Sequence, residues 1–481
     1  MNHDHLDNTT APEIGDAADE TTNANDAKTS RRAFLAGAAG AVAATGLASL
    51  SQTPAQAQGA TGAASAVPGV PRATGQPQPP ATQPTPRLPE AGPRQPARPQ
   101  PPIKVPQQNA PTEQQQGPPP QPLPPAQRVG FAVVGLGELS IRQVLPALGH
   151  AKKSRLAALV SGEPDKARTL ANEYGIGAGH VYSYANFDAI RNDPTIDVVY
   201  IVLPNSMHEE FTVRAARAGK HVLTEKPMSV SSESAARMVQ ACAAANRKLM
   251  VAYRIQYEPH NRLAQRMVRE QTFGATKIIE MVNGQNQGDP NQWRHKRALA
   301  GGGSLPDVGI YCFNTARFLT GEEPIEVMAS TYSTPGDPRF REVEENCMWQ
   351  MRFPSGVQVN ALSGYGFHET RRYRVLQERG WFGLDPAFAY EGLKMQSSFA
   401  QGQIERYEEP KLPQKNQLAQ ELDHMAECVL ENKRPYTPGE EGLQDHRVIE
   451  AIYRSAREGR AVTLPRVNGL DAFRGTPPRE G

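Results

Sequence analysis

The sequence predicts an α/β unit with a doubly wound parallel sheet, followed by an α+β unit with a large, mostly antiparallel sheet. Three observations carry this. Between Arg128 and Thr224, strand-length runs that are apolar throughout alternate with helical patterns, the texture of a parallel sheet covered on both faces. Past about Lys248, longer alternating runs follow one another without intervening helices, which implies antiparallel pairing. The chain, at 481 residues, is also too long for one simple core.

The first strand is Val129–Val134, closed by Gly135-Leu136-Gly137; a helical pattern on Ile141, Val144, Leu145 and Leu148 follows. A strand over 156–160 leads to a helix over 166–174, and a strand over 196–203 to a helix over 209–218. The next strand ends at Thr224, and the unit is assigned residues 128–250. In the second unit, 251–465, a helix over 261–271 precedes strands at 277–282, 325–332, 347–353, 357–363 and 373–377. Helices near 417–431 and 439–458 close it, and 466–481 reads as a tail.

Upstream, Ser30-Arg31-Arg32-Ala33-Phe34-Leu35 precedes an Ala/Gly-rich stretch and Ala55-Gln56-Ala57. Residues 1–57 therefore resemble a twin-arginine export signal, which implies a periplasmic protein delivered folded. The apolar stretch is too short and too rich in Ala and Gly for stable membrane insertion. Residues 58–127 form a Pro-rich arm, since 54–125 hold 22 of the 43 prolines; such composition makes neither helix nor central strand and lacks the apolar content to fold alone. Net charge is +2, or +6 without the first 57 residues, and no dense Lys/Arg run is present, which argues against nucleic acid. Cys242, Cys312, Cys347 and Cys428 are scattered without metal-ligand spacing or the density of a disulfide scaffold; core packing is expected of them, and no metal.

The residues that can carry chemistry fall at strand ends. Gly135-x-Gly137, with Glu138 and Leu139 in the same turn, stands where a dinucleotide fingerprint belongs, although its third position is Ser140. At the end of the second strand, Ser161 occupies the position where NAD-binding sheets usually place a carboxylate, with Lys166 five residues on. A hydroxyl and a cation suit a 2′-phosphate, so NADP is expected over NAD, with Glu163 as the competing ribose ligand. Leu203-Pro204-Asn205-x-x-His208 follows the third strand and is assigned to the cofactor, with an ordinary helix start as the plainer reading of His208. Glu225-Lys226-Pro227 ends the next strand on the same edge. Pro227 biases Lys226 toward extended backbone, aiming a side chain that would otherwise be a solvated loop lysine. In the second unit, Gly301-Gly302-Gly303-Ser304 leads to Asp307 and Tyr311, which a helix from Pro306 would stack at i and i+4. A capping Asp and a packed Tyr are the plainer reading of that pair. Arg254 is assigned to the cofactor, and Tyr257, Trp293 and Arg294 to a polar pocket with an aromatic wall.

Together these residues resemble the glucose–fructose oxidoreductase family, the Gfo/Idh/MocA group of two-domain sugar oxidoreductases that includes inositol dehydrogenases. The resemblance spans roughly 128–465, and its most specific marks are Glu225-Lys226-Pro227 and the Gly-rich run ending in Asp307 and Tyr311. Many members carry histidine at the last position. Tyrosine there, with Gln292-Trp293-Arg294, the export signal, the arm, and Ser161 with Lys166, is similar to the branch that gives the family its name. The resemblance implies NADP held without exchange, an arm crossing a neighbouring subunit near the cofactor, and a homo-oligomer, dimer or tetramer. It also implies roles: Tyr311 takes the proton of a sugar C1 hydroxyl, Lys226 supports it, and Asp307 orients the sugar or the pair. A phenol alone is a poor base near neutrality, and an ammonium beside one favours the phenolate. The activity expected is oxidation of an aldose to its lactone, with the hydride passed to a second sugar. Two readings stand beside it: a dehydrogenase with exchangeable NAD(P), and a sugar-binding protein without turnover.

Overall fold

Residues 122–478 are described by a computed structural model; the expected export signal and all of the arm before Pro122 lie outside the described residues. Six strands form the first sheet: β1 (Val129–Val134), β2 (Ser154–Val160), β3 (Val181–Tyr182), β4 (Val198–Ile201), β5 (His221–Glu225) and β6 (Leu249–Ala252), in the order β3-β2-β1-β4-β5-β6. All pairings are parallel, with Phe131 opposite Val198 and Val133 opposite Leu159. Every residue of β1 and β4 is buried, which is why these strands read as continuous apolar runs. Strand order reverses beside β1, and the crevice at the carboxyl ends there is where such sheets bind ligands. Helices α1 (Leu145–His150), α2 (Pro164–Glu173), α3 (His208–Arg217) and α4 (Ser232–Ala244) make the crossovers. The sequence reading lacked β3, α4 and β6. β6 carries the sheet to Ala252, past the expected boundary at 250.

After α5 (Pro259–Arg269), a second sheet gathers β7 (Thr276–Gly284), β8 (Glu326–Tyr332), β9 (Asn346–Arg352), β10 (Gln358–Gly364), β11 (Thr370–Gln377), β12 (Gly380–Leu384), β13 (Met395–Gln401), β14 (Ile404–Glu408) and β15 (Val462–Thr463). Their order is β14-β13-β12-β11-β7-β10-β9-β8-β15. Pairing is antiparallel except between β7 and β10, which run parallel with Ile279 opposite Val359. Cys347, Trp349 and Met351 of β9 turn inward while their neighbours do not, the alternation of a sheet with one packed face. That face meets the helix after the Gly-rich run, Ile310–Thr320, and the last helix, Gly439–Glu458. The short helix Arg297–Ala300 precedes the Gly-rich run. In chain order these three and Gln417–Leu430 are α6 (Arg297–Ala300), α7 (Ile310–Thr320), α8 (Gln417–Leu430) and α9 (Gly439–Glu458). All four cysteines are buried thiols.

The chain does not divide cleanly in two. α8 returns to the first sheet, where Asp423 accepts from the backbone N–H groups of Lys152 and Lys153, each at 2.7 Å. On α9, His446 accepts from Ser229 N–H at 2.9 Å. The segment read as a tail is also structural, because Arg474 is buried and donates to Glu441 at 2.5 Å. It belongs to a fully enclosed cluster centred on Arg317 of α7. Arg317 reaches Glu323 at 2.7 and 2.8 Å, Glu441 at 2.9 and 3.1 Å, and Asp445. Tyr253, just past β6, donates to Asp445 at 2.6 Å. This network ties α7, α9 and the end of the first sheet together.

At the other end of the first unit, Leu123 N–H donates to Lys152 O at 2.9 Å and Arg128 Nε to Leu123 O at 2.7 Å. The last residues of the arm therefore lie at the amino edge of the sheet, where β1 and β2 begin.

Candidate active site

The first sheet brings Gly135, Ser161, Leu203 and Lys226 to its carboxyl edge, since each follows or ends a parallel strand. Gly135 has φ +92°, and a Cβ on it would lie 2.3 Å from Val202 O and 2.8 Å from a Leu203 methyl. Beyond it the turn is open, for a Cβ at Gly137 would meet nothing within 4 Å. Ser140, the departure from the fingerprint, is fully buried and donates its hydroxyl to Gly135 O. It closes the same turn that a small third residue closes by packing. This cradle fits a dinucleotide pyrophosphate. Gly135→Ala is expected to cost about 1–3 kcal/mol through the left-handed backbone and the clash, and to abolish nucleotide retention; urea unfolding and nucleotide released per chain check both. Glu138 is exposed and pairs with Arg142 at 3.0 Å, and Leu139 is half-buried.

Ser161 is buried and its Oγ accepts from Glu163 N–H at 3.0 Å. Lys166 holds the Glu163 carboxylate at 2.6 Å on the surface. No carboxylate stands at the end of β2 itself, and the two nearby, Glu163 and Asp165, pair on the surface with Lys166 and Arg168.

The second unit meets this edge through the Gly-rich run. Leu305–Gly309 is a widened helical turn before α7 begins at Ile310, a feature frequent at functional sites. Asp307 and Tyr311 thus do not stack in the regular i, i+4 way; they meet through Lys226. Its Nζ donates to Asp307 O at 2.7 Å, lies 3.5 Å from Asp307 Oδ1, and stands 4.6 Å from the centre of the Tyr311 ring. Asp307 Oδ2 accepts from Arg294 Nε at 3.1 Å and from Tyr365 at 2.7 Å. Burial would raise the Asp307 pKa, but Arg294, Lys226 and the Tyr365 hydrogen bond outweigh it and hold the carboxyl at about 2. Trp293 packs its ring 4.5 Å from the Arg294 guanidinium. Glu225 accepts from Tyr200 at 2.7 Å and from Lys226 N–H at 3.2 Å, and the Lys226–Pro227 peptide is cis.

Four assignments need correction. His208 is fully buried, with Nε2 2.8 Å from Leu203 O and Nδ1 3.1 Å from Pro227 O. It fastens two edge turns together and presents nothing to a cofactor. Asn205 is also buried and donates to Ala300 O at 2.9 Å, tying the first unit to the Gly-rich run. Tyr257 is 1% exposed, close to Thr437 at 3.2 Å and packed on His424 and Tyr436; it is core, not pocket wall. Arg254 is buried and donates to Phe388 O at 2.7 Å, Ala389 O at 3.1 Å and Gln417 Oε1 at 2.8 Å. It clamps the β12–β13 loop and stands 5.1 Å from the Tyr311 ring centre, a second cation beside that phenol.

Sequence reasoning missed Tyr365, Phe388, whose ring centre is 5.7 Å from that of Tyr311, and Tyr390, 4.0 Å from Arg254. Phe388 and Tyr390 come from a loop with no periodic signal. Tyr365 had one, a tyrosine between glycines just past a strand. A larger cleft of about 570 Å³ opens at the amino edge, near His221, Arg247 and Gly439. It lies across the sheet from the glycine turn and holds none of these groups.

Two family models match: "Oxidoreductase family, NAD-binding Rossmann fold" over residues 129–253 and "GFO/IDH/MocA C-terminal domain" over 261–383. A D-xylose 1-dehydrogenase [NADP(+)] of Haloarcula marismortui is 31% identical over 347 residues, 70% of this chain and 93% of its own. The crystal structure of an aldose–aldose oxidoreductase from Caulobacter crescentus, complexed with glycerol, is 47% identical with a TM-score of 0.68, covering 70% of this chain and 100% of that one. Levoglucosan dehydrogenase, solved with NADH and L-sorbose, shares the fold at 21% identity and a TM-score of 0.62, covering 71% of this chain and 100% of its own.

Proposed function

The chain belongs to the Gfo/Idh/MocA oxidoreductase family, and within it we propose a periplasmic enzyme with tightly held NADP that oxidises an aldose to its lactone and returns the hydride to a second sugar. The observation that carries this reading is the meeting of Lys226, Asp307 and Tyr311 at the same sheet edge as the glycine turn. When bound, NADP supplies the acceptor for the hydride leaving sugar C1 and the donor for the second sugar's carbonyl. The chain's own residues handle the proton. Tyr311 takes it from the C1 hydroxyl as the hydride leaves, and returns it to the second sugar's oxygen. Lys226 and Arg254 place two cations 4.6 and 5.1 Å from the centre of the Tyr311 ring. Oδ1 of Asp307, beside Lys226, accepts from a sugar hydroxyl and sets the sugar ring's orientation. Trp293, half-buried, supplies apolar surface against which a sugar face can rest, and the buried Phe388 backs the Tyr311 ring.

An NADP-dependent dehydrogenase among the relatives favours a second reading, in which the cofactor exchanges. The export signal favours the first, because free cofactor is scarce outside the cytoplasm. Denaturing purified protein and identifying the released nucleotide separates them: one NADP(H) per chain after dialysis supports a held cofactor, and an empty chain supports exchange. Aldoses added to the holoenzyme should generate the near-ultraviolet absorbance of reduced nicotinamide, and a second sugar should discharge it. A sugar-binding protein without turnover would show neither change.

Ser161→Asp should weaken NADP retention, because a carboxylate at the end of β2 repels a 2′-phosphate and pairs instead with a ribose hydroxyl. The released nucleotide is expected to shift toward NAD. NAD in the wild-type protein would reverse the assignment and make Glu163 the ribose ligand.

A further inference from the structure

Asp307 is held more firmly than orienting a sugar requires. Tyr365 and Arg294 both donate to Oδ2, at 2.7 and 3.1 Å, while Oδ1 faces Lys226 at 3.5 Å. Tyr365 stands just past β10 and is fully buried. Its flanking glycines let the chain close around the ring: a Cβ at Gly364 would lie 2.1 Å from Phe367, and one at Gly366 1.8 Å from the Glu345 carboxylate. His295, next to Arg294, packs edge-on against the ring at 5.7 Å, and Val308 and Phe340 complete the pocket. The ring is thus immobilised on all sides. Among the described residues its hydroxyl has one hydrogen-bond partner, Asp307.

We propose that Tyr365 is a positioning residue for the sugar reaction: its hydroxyl, with Arg294, pins Oδ2 of Asp307 and so keeps Oδ1 turned toward Lys226 and the reacting sugar. The proposal rests on the oxidoreductase reading above. The groups facing Asp307 are Lys226 from the end of β5, Arg294 from the 293–295 turn, and Tyr365 from the end of β10. Glu344 lies behind Tyr365, and Tyr390 acts on Arg294. Burial works against the Asp307 anion, and Arg294, Lys226 and the Tyr365 hydroxyl work for it. Losing the hydroxyl must therefore move the carboxyl's titration upward, and it also frees the group to rotate.

Tyr365→Phe keeps the ring and removes only the hydroxyl. In protein carrying ¹³C-labelled aspartate carboxyls, with Asp307→Asn giving the resonance assignment, the Asp307 midpoint should rise by about one pH unit. Turnover should fall about ten-fold with a smaller change in KM, while the thermal midpoint and bound nucleotide stay as in wild type. If Tyr365→Phe does not fold, Tyr365→Met, flexible enough to refill the pocket, serves in its place. An unmoved Asp307 midpoint in a folded variant overturns the proposal, as does an activity loss that tracks a fallen thermal midpoint. A raised midpoint in a protein whose wild type turns over no sugar supports the Tyr365–Asp307 contact and counts against the oxidoreductase reading instead.

Discussion

Tyr311→Phe is expected to lose about 10²–10⁴-fold in turnover while folding normally and keeping its nucleotide, since that is the usual range for removing a general acid–base group. The ring stays, and with it the contacts to Phe388 at 5.7 Å and the two cations at 4.6 and 5.1 Å. Only the atom that accepts the proton is gone. On the two-sugar reaction proposed above, both half-reactions should fall together, because Tyr311 would handle the proton in each. Single-turnover absorbance with saturating sugar measures the first half directly. A rate within a few fold of wild type for every accepted sugar would remove Tyr311 from the proton path and leave it a packed aromatic.

Arg317→Met should be the most damaging single change to stability, at about 3–5 kcal/mol, because it strips the partner from buried carboxylates. In wild type two arginines, 317 and 474, face Glu323, Glu441 and Asp445 with essentially no solvent. Three acids against two bases leave one proton to be kept. Burial, with help from Glu441 and Glu323 and against the pull of Arg317, raises Asp445 to about 7. Its folded pKa is above its unfolded one, so the stability it contributes is present in acid and is lost as pH rises from about 4 through 7. Removing Arg317 takes away the cation that pulls both Glu441 and Asp445 down, so the deficit of the variant should be greatest above neutrality and shrink toward pH 5. Urea unfolding at several pH values tests this; a deficit independent of pH would show that lost packing dominates.

Four of the six strands of the first sheet were legible because they form apolar runs at its centre, and Val129–Val134 announces itself without any partner being known; β3, two residues long and half-buried, and the edge strand β6 were not. Nor were the strands at β12 to β14. Gly380, Gly383, Ser397 and Ser398 interrupt any period-2 pattern, and β14 is exposed throughout. These strands exist because neighbours already in place offer them a ladder. At the site, Lys226 and Asp307 stood out beside prolines and Tyr311 stood out after the Gly-rich run, while Arg294 was read only through its place beside Trp293. Tyr257 and His208 misled because a polar side chain near a cleft in sequence looks the same whether it faces the cleft or the core. Arg254 misled differently: its partners, the carbonyls of 388 and 389 and Gln417, lie more than a hundred residues away, and no local pattern encodes them.

The edge at which the Pro-rich segment joins the sheet has a consequence for how the protein behaves on dilution. Leu123 and Arg128 anchor beside Lys152, a full strand length, about 20 Å for β1's six residues, from the glycine turn on the same subunit. The resemblance implies an arm that crosses to a neighbouring subunit, and on that reading the cleft it would cover is the neighbour's. Coverage would then be traded between copies: each molecule guards a cleft it cannot use, and is served by one it does not guard. Nucleotide loss from such an assembly would depend on protein concentration, slow when concentrated and faster once dilution shifts copies toward separation. A chain whose arm covered its own cleft would release nucleotide at one rate whatever its concentration.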